Sequence, residues 1–286
     1  MATSTASFGV GKRESHDSTA FYARRMSSHA PSREATGLVA DAPEEVLDRI
    51  FVQSSESMEQ LPDGSVGLMV TSPPYNVGKE YDADLSLDEY LGLLERVFAE
   101  TYRVLEAGGR IAVNVANVGR KPYLPLNHHV AGLLSDIGFL LRGEVIWQKA
   151  KAAGGSTAWG SWQSAKNPTL RDVHEYVIVA CKESFRRLRK GVDTIARDDF
   201  LDSTVSIWEI QPASARRIGH PAPFPVALPR RLIELYTFEG DLVLDPFIGA
   251  GTTAIAAKEA GRHYVGYDIN ADYVRLADKR LAALTE

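Results

Sequence analysis

The chain has 286 residues, enough to bury the core of one large domain or two small ones. With 44% apolar and 24% charged residues and a formal net charge of −5, it has the make-up of a soluble globular protein. No apolar run nears the roughly 18 residues a membrane span needs. Its one cysteine, Cys181, excludes an intramolecular disulfide framework. Together with the lack of an apolar leader in the first residues, this directs the expectation to a reducing cytoplasm.

Residues 1–36 are polar, rich in Ser, Ala and Arg, and without a period, which reads as an arm. From residue 37 helix and strand patterns alternate. A short helix is expected over 43–50, a strand over 66–70, and a long amphipathic helix over 87–105 stopped by Gly108-Gly109. A strand over 110–115, a helix over 126–137 ending at Gly138 and a strand over 140–147 follow. Residues 149–172 (KAKAAGGSTAWGSWQSAKNPTLRD) lose all periodicity and gain Gly, Ser, Trp and Lys, the mark of a functional loop. HEYVIVACK (174–182) returns to a strand pattern. A mixed basic and acidic stretch then runs to about 218, with a short strand over 205–210. The segment HPAPFPVALPRRLIELYTF leads into a helix, and DLVLDPFIGAGTTAIAAKEAGRHYVGYDIN reads as strand, glycine turn, helix, strand. The alternation indicates an α/β fold with a mostly parallel sheet.

Two stretches carry chemistry. In VLDPFIGAGTT, Asp245 closes a strand, and Gly249 and Gly251 let the backbone come close to a ligand at the start of a helix. About twenty residues on, Asp268 ends the next strand, where an acid accepts hydrogen bonds from ribose hydroxyls. Asp245 suits a cationic amino group and Phe247 offers a face to adenine, a combination that S-adenosylmethionine satisfies. In LMVTSPPYNVG, two prolines end a buried strand abruptly and hold its last groups stiffly. The Ser72 hydroxyl and the Pro73 carbonyl could accept from the two N–H bonds of an exocyclic amine. That would localise a lone pair otherwise delocalised into the ring. Tyr75 can stack on a flipped base.

TSPPY at 71–75 with DPFIGAGTT at 245–253 resembles the prokaryotic DNA amino-methyltransferases of restriction–modification systems. The catalytic motif precedes the cofactor motif, as in the beta-type arrangement, and the resemblance covers roughly residues 45–286. It implies a Rossmann-like S-adenosylmethionine-dependent methyltransferase fold, circularly arranged, with a small target-recognition insertion. On that pattern, 37–181 is the catalytic part, 182–218 the target-recognition segment and 219–286 the cofactor-binding part. Ser72, Pro73, Pro74 and Tyr75 would form the catalytic motif. Asp245, Phe247, Gly249, Gly251 and Thr252 would line the cofactor site, with Asp268 on the ribose and His220, Pro221 and Phe224 beside the methionine moiety. Gln53-Ser54 stands where family members often carry Gly-Asp, a departure from the pattern.

In that family Ser at the head of the motif leans toward cytosine N4 and Asp toward adenine N6. The expected reaction is therefore methylation of cytosine N4 in double-stranded DNA, with adenine N6 as the alternative. An RNA or protein methyltransferase, or an inactive DNA-binding module, is a remoter one. Methylation at cytosine carbon 5 needs a nucleophilic Cys, and Cys181 lies within a strand pattern. Basic residues in 149–172 and 182–217 are the candidates for DNA contact: Lys149, Lys151, Lys166, Arg171, Arg186, Arg187, Arg189, Arg216 and Arg217. No metal site is expected, since the histidines lack ligand spacing. Beta-type relatives often dimerise, so a homodimer is an open expectation.

Overall fold

The computed structural model describes residues 35–75, 85–119, 121–149, 160–213 and 224–284. The strands are β1 (Arg49–Val52), β2 (Val66–Thr71), β3 (Leu105–Val115), β4 (Leu140–Gln148), β5 (His174–Cys181), β6 (Ile207–Glu209), β7 (Leu242–Asp245) and β8 (His263–Asp268). They form one sheet in the order β1-β8-β7-β2-β3-β5-β4-β6. Among these strands only β5 runs against its neighbours. The helices are α1 (Leu87–Val104), α2 (Leu126–Ile137), α3 (Arg197–Ser203), α4 (Ala227–Tyr236), α5 (Thr252–Glu259) and α6 (Ala271–Ala282).

Two apolar layers sandwich the sheet, and the side-chain alternation of β2 divides between them. Val66 and Met69 join Leu94 and Phe98 of α1 and Val130 and Leu134 of α2. Leu68 and Val70 join Leu228 and Leu232 of α4 and Ile255 of α5. All six β2 positions are buried, as expected of a central parallel strand covered on both faces. Each large side chain enclosed this way contributes about 1.5–3 kcal/mol. α1 forms because buried positions recur at Tyr90, Leu94, Val97, Phe98 and Thr101, along one face. Ser86 and Glu89 close its first turn as a reciprocal capping box.

Three expectations are corrected. Over 43–50 there is one turn of 3-10 helix, Glu44–Val46, and then strand β1, whose partner β8 lies far away in the chain. α1 stops at Val104 rather than at the glycine pair, because Leu105 is already extended and pairs with Val66. Within the charged stretch a seven-residue helix, α3, precedes β6, and β6 itself is shorter than expected.

The chain leaves β2 toward β3 on one side, while β7 proceeds to β8 on the other. β2 and β7 are parallel neighbours, so the direction of winding reverses between them. In such sheets the crevice outside the carboxyl ends of those two strands is where ligands bind.

Candidate active site

The two sequence motifs meet at that crevice. Thr71 ends β2 and Asp245 ends β7, and the Thr71 hydroxyl donates to Asp245 Oδ1 at 2.6 Å. Thr253 Oγ1, in the first turn of α5, donates to Asp245 Oδ2 at 2.6 Å, and the Phe247 N–H donates to Oδ1 at 3.1 Å. Asp245 is 1% exposed, and burial pushes its carboxyl up to about 6 against the pull of these three donors. The carboxylate therefore accepts from three protein donors and ties the serine strand to the glycine helix.

Gly251 precedes α5 with φ of +75°, and a Cβ there would stand 2.7 Å from Ala277 Cβ. Both the backbone conformation and the contact with α6 call for glycine. The Gly249 N–H donates to Asp268 Oδ2 at 3.0 Å, and the Asn270 N–H to Oδ1 at 2.8 Å. Burial raises the Asp268 carboxyl, while these two amides lower it. Each oxygen keeps a further lone pair for an incoming hydroxyl. Phe247 is half-buried behind this turn, Thr252 is buried at the helix start with its Oγ1 near Arg280 (3.3 Å), and Phe224 packs against the helical layer of α4 and α5. Arg280 also donates to the Ala250 carbonyl, so a cation from α6 backs the glycine turn. Helix start, acid-tipped strands and an aromatic face together fit a nucleoside-bearing cofactor.

On the β2 side, Ser72 Oγ lies 2.9 Å from Tyr75 Oη. Asn114 of β3 and Glu175 of β5 complete a cluster that the sequence did not suggest. Asn114 Nδ2 donates to Glu175 Oε2 at 2.6 Å and approaches Ser72 Oγ (3.3 Å) and Tyr75 Oη (3.2 Å). Tyr75 Oη also reaches Glu175 Oε2 at 3.2 Å. Burial and the neighbouring Glu175 charge hold the phenol well above its ordinary range, so it stays a proton donor. Asn114 Oδ1 is buried and has no hydrogen-bond partner among the described residues. Pro73 is buried and Pro74 half-buried, consistent with a stiff strand end.

The basic residues divide. Lys149 is ion-paired with Glu175 and sits 5.3 Å above the Trp147 ring, so it belongs to the Ser72 cluster rather than to an open surface. Lys166 and Arg171 are exposed on the loop that precedes β5, at the Ser72 edge of the sheet. The antiparallel β5 then returns the chain to the opposite edge, and the basic run 182–190 is found there. Arg187 is buried between Glu106 (2.5 Å) and Asp241 (2.5 Å), and Arg189 bridges Glu106 (2.7 Å) and Asp41 (2.8 Å). Both are engaged by carboxylates of the protein itself, Glu106 and Asp241 buried and Asp41 at the surface, which corrects their assignment to DNA. Arg186, in the same run, is exposed. Lys151, Arg216, Arg217, His220 and Pro221 lie outside the described residues. Cys181 is buried at the end of β5, where burial raises its thiol, consistent with a packing role. Among the described residues no group of three or more His, Cys, Asp or Glu could hold a metal ion, and no helix is long and apolar enough to cross a membrane.

Residues 66–279 match the profile of the DNA methylase family. The Type II methyltransferase M.MthZI of Methanothermobacter thermautotrophicus is 30% identical over 82% of this chain and 76% of its own. M.ScaI of Streptomyces caespitosus is 29% identical over 80% and 79%. Among solved structures, TTHA0409 of Thermus thermophilus, named as a DNA modification methylase and complexed with S-adenosyl-L-methionine, superposes with a TM-score of 0.66. It is 28% identical and covers 82% of this chain and 94% of that one. The cytosine-N4-specific PvuII DNA methyltransferase has the same fold, with a TM-score of 0.65 at 20% identity over 81% and 85%.

Proposed function

The chain belongs to the DNA methylase family, and from that membership we propose that it moves a methyl group from S-adenosylmethionine to the N4 amino group of a cytosine flipped out of double-stranded DNA. Transfer from S-adenosylmethionine to an amino group of DNA is the activity of the family. The choice of cytosine rests on Ser72 at the head of the catalytic motif, a neutral hydroxyl where an acidic residue would favour adenine. The observation that carries the reading is the joining of the two motifs by the Thr71–Asp245 hydrogen bond at the winding reversal. On this reading it would bring the methyl donor and the target amine side by side.

The glycine turn 249–251 and the start of α5 would hold the nucleoside part of the cofactor, with Asp268 on the ribose and Phe247 against the adenine. The cofactor supplies an electrophilic methyl group on a cationic sulfur. Asp245, buried and negatively charged above its pKa of about 6, favours that cation through space. Ser72 Oγ and the Pro73 carbonyl accept from the two amino N–H bonds, which turns the nitrogen lone pair toward the methyl. Tyr75 supports the base face. Lys166 and Arg171 supply positive charge for phosphates at the same edge, and the division into a catalytic part (37–181), a target-recognition segment (182–218) and a cofactor-binding part (219–286) belongs to the same proposal.

The test is a nucleoside analysis. The purified protein is incubated with unmethylated bacterial DNA and labelled S-adenosylmethionine, and the DNA is digested. Labelled N4-methyldeoxycytidine is the expected product. Labelled N6-methyldeoxyadenosine would keep the fold and mechanism but reverse the base assignment.

A further inference from the structure

Ser72 has a hydroxyl that can either donate or accept, and amine activation requires it to accept. Resting on the function proposed above, we infer that Glu175 is a positioning residue that sets this direction through Tyr75. A carboxylate can only accept, so both groups on Glu175 Oε2 must donate to it: Asn114 Nδ2 at 2.6 Å and Tyr75 Oη at 3.2 Å. Once the single phenolic proton is spent on Glu175, Tyr75 Oη can meet Ser72 Oγ, at 2.9 Å, only as an acceptor. The serine proton then points to Tyr75, and a serine lone pair is left for the target amine beside the one that faces Asn114. Asn114 strengthens the same polarity, because its amide nitrogen presents only donors to Ser72 and Tyr75.

Lys149 completes the device. It holds Glu175 Oε1, leaving Oε2 for the chain of hydroxyls. Glu175 is 8% exposed, so water does not compete freely for these positions. Glu175 itself need touch neither the base nor the cofactor. Its effect is transmitted through one phenol and one hydroxyl, each already within hydrogen-bond range.

Glu175→Gln is nearly isosteric but can donate as well as accept, which removes the directional constraint. We expect kcat to fall by at least about tenfold, the scale of a misdirected reactive group, with KM for DNA and for S-adenosylmethionine within about twofold of wild type. In a Tyr75→Phe background, which cuts the link but keeps the ring, Glu175→Gln should add less than about threefold. Glu175→Asp keeps the charge and the Lys149 pairing but draws the oxygen back from Tyr75. It should show a smaller kcat loss, and it carries the test if Glu175→Gln fails to fold. Unchanged kcat in either folded variant, or independent effects of Glu175 and Tyr75, would overturn the inference while wild-type activity keeps the proposed function. A wild-type protein that labels no DNA would overturn both.

Discussion

Thr71 and Asp245 are 174 residues apart in the chain and share a 2.6 Å hydrogen bond in its interior. Thr71 immediately precedes Ser72, and Asp245 immediately precedes the turn that leads into the glycine helix. Any displacement of one motif is thus felt by the other through a buried carboxylate held from three directions. The energetic and catalytic consequences of that geometry are open to measurement.

Ser72→Ala removes one of the two acceptors while leaving the β7–α5 turn untouched. Methyl transfer is expected to be lost, with the dissociation constant for S-adenosylmethionine within about twofold of wild type. Calorimetric titration alongside the label assay separates the two effects, and retained turnover would take Ser72 out of the mechanism.

Asp245 makes stability depend on pH in a defined window. Its carboxyl is raised from 3.8 to about 6 in the fold, so the protonated form is the one that folding favours. That contribution is complete below about pH 4 and is lost as pH rises through 6, at most on the order of 3 kcal/mol. Relative to Asp245→Asn, the wild type should therefore lose stability between about pH 4 and pH 6 in denaturant titrations without cofactor. A cationic cofactor favours the ionised carboxylate, so its affinity should rise with pH over the same window in the wild type alone. A flat difference between the two proteins would refute this role for Asp245.

Asp268→Ala should raise the cofactor dissociation constant by roughly tenfold or more, the scale of one lost charge-assisted hydrogen bond. The same change frees the Gly249 amide, so the turn loosens along with the ribose contact. Comparison with adenosine alone as ligand reads the nucleoside half directly, and an unchanged value for both ligands would place the ribose elsewhere.

Arg187→Met tests the corrected placement of the basic run. Removing a guanidinium buried between Glu106 and Asp241 takes the cation from the buried Asp241 and leaves Glu106 with Arg189 alone, and the expected loss of folding stability is about 3–5 kcal/mol. At a temperature where the variant stays folded, its affinity for DNA and the salt dependence of that affinity should match the wild type. A shallower salt slope would return Arg187 to the phosphate contacts.

The local signals in the sequence were strong where periodicity and glycine acted together. Helix α2 has the expected bounds, and α5 and β8 follow the glycine turn as the motif implies. β1 was hidden because its ladder partner, β8, lies more than 200 residues away, and four residues of RIFV carry no period of their own. Thr71 and Thr253 stood inside the quoted motifs, but that they share one carboxylate emerges only once β2 and β7 are neighbours. Asn114 and Glu175 sit on apolar strands with no chemistry assigned to them from the sequence, and only the pairing of β3 with β5 brings them together. The run 182–190 misled because a row of arginines looks alike in sequence whether it meets phosphates or internal acids. The direction of one strand, β5, decided between these.

The position of β7 and β8 between β1 and β2 bears on how the protein is made. During synthesis β1 and β2 leave the ribosome nearly two hundred residues ahead of the strands that fill the gap between them. Until then β1 has no ladder and β2 has a bare edge where Leu68 and Met69 will pair with β7. A nascent chain already carrying its serine motif thus cannot assemble the crevice until β7 and β8 have been made. A product cut short before β7 lacks both the neighbour of the β2 edge and the glycine turn that follows it.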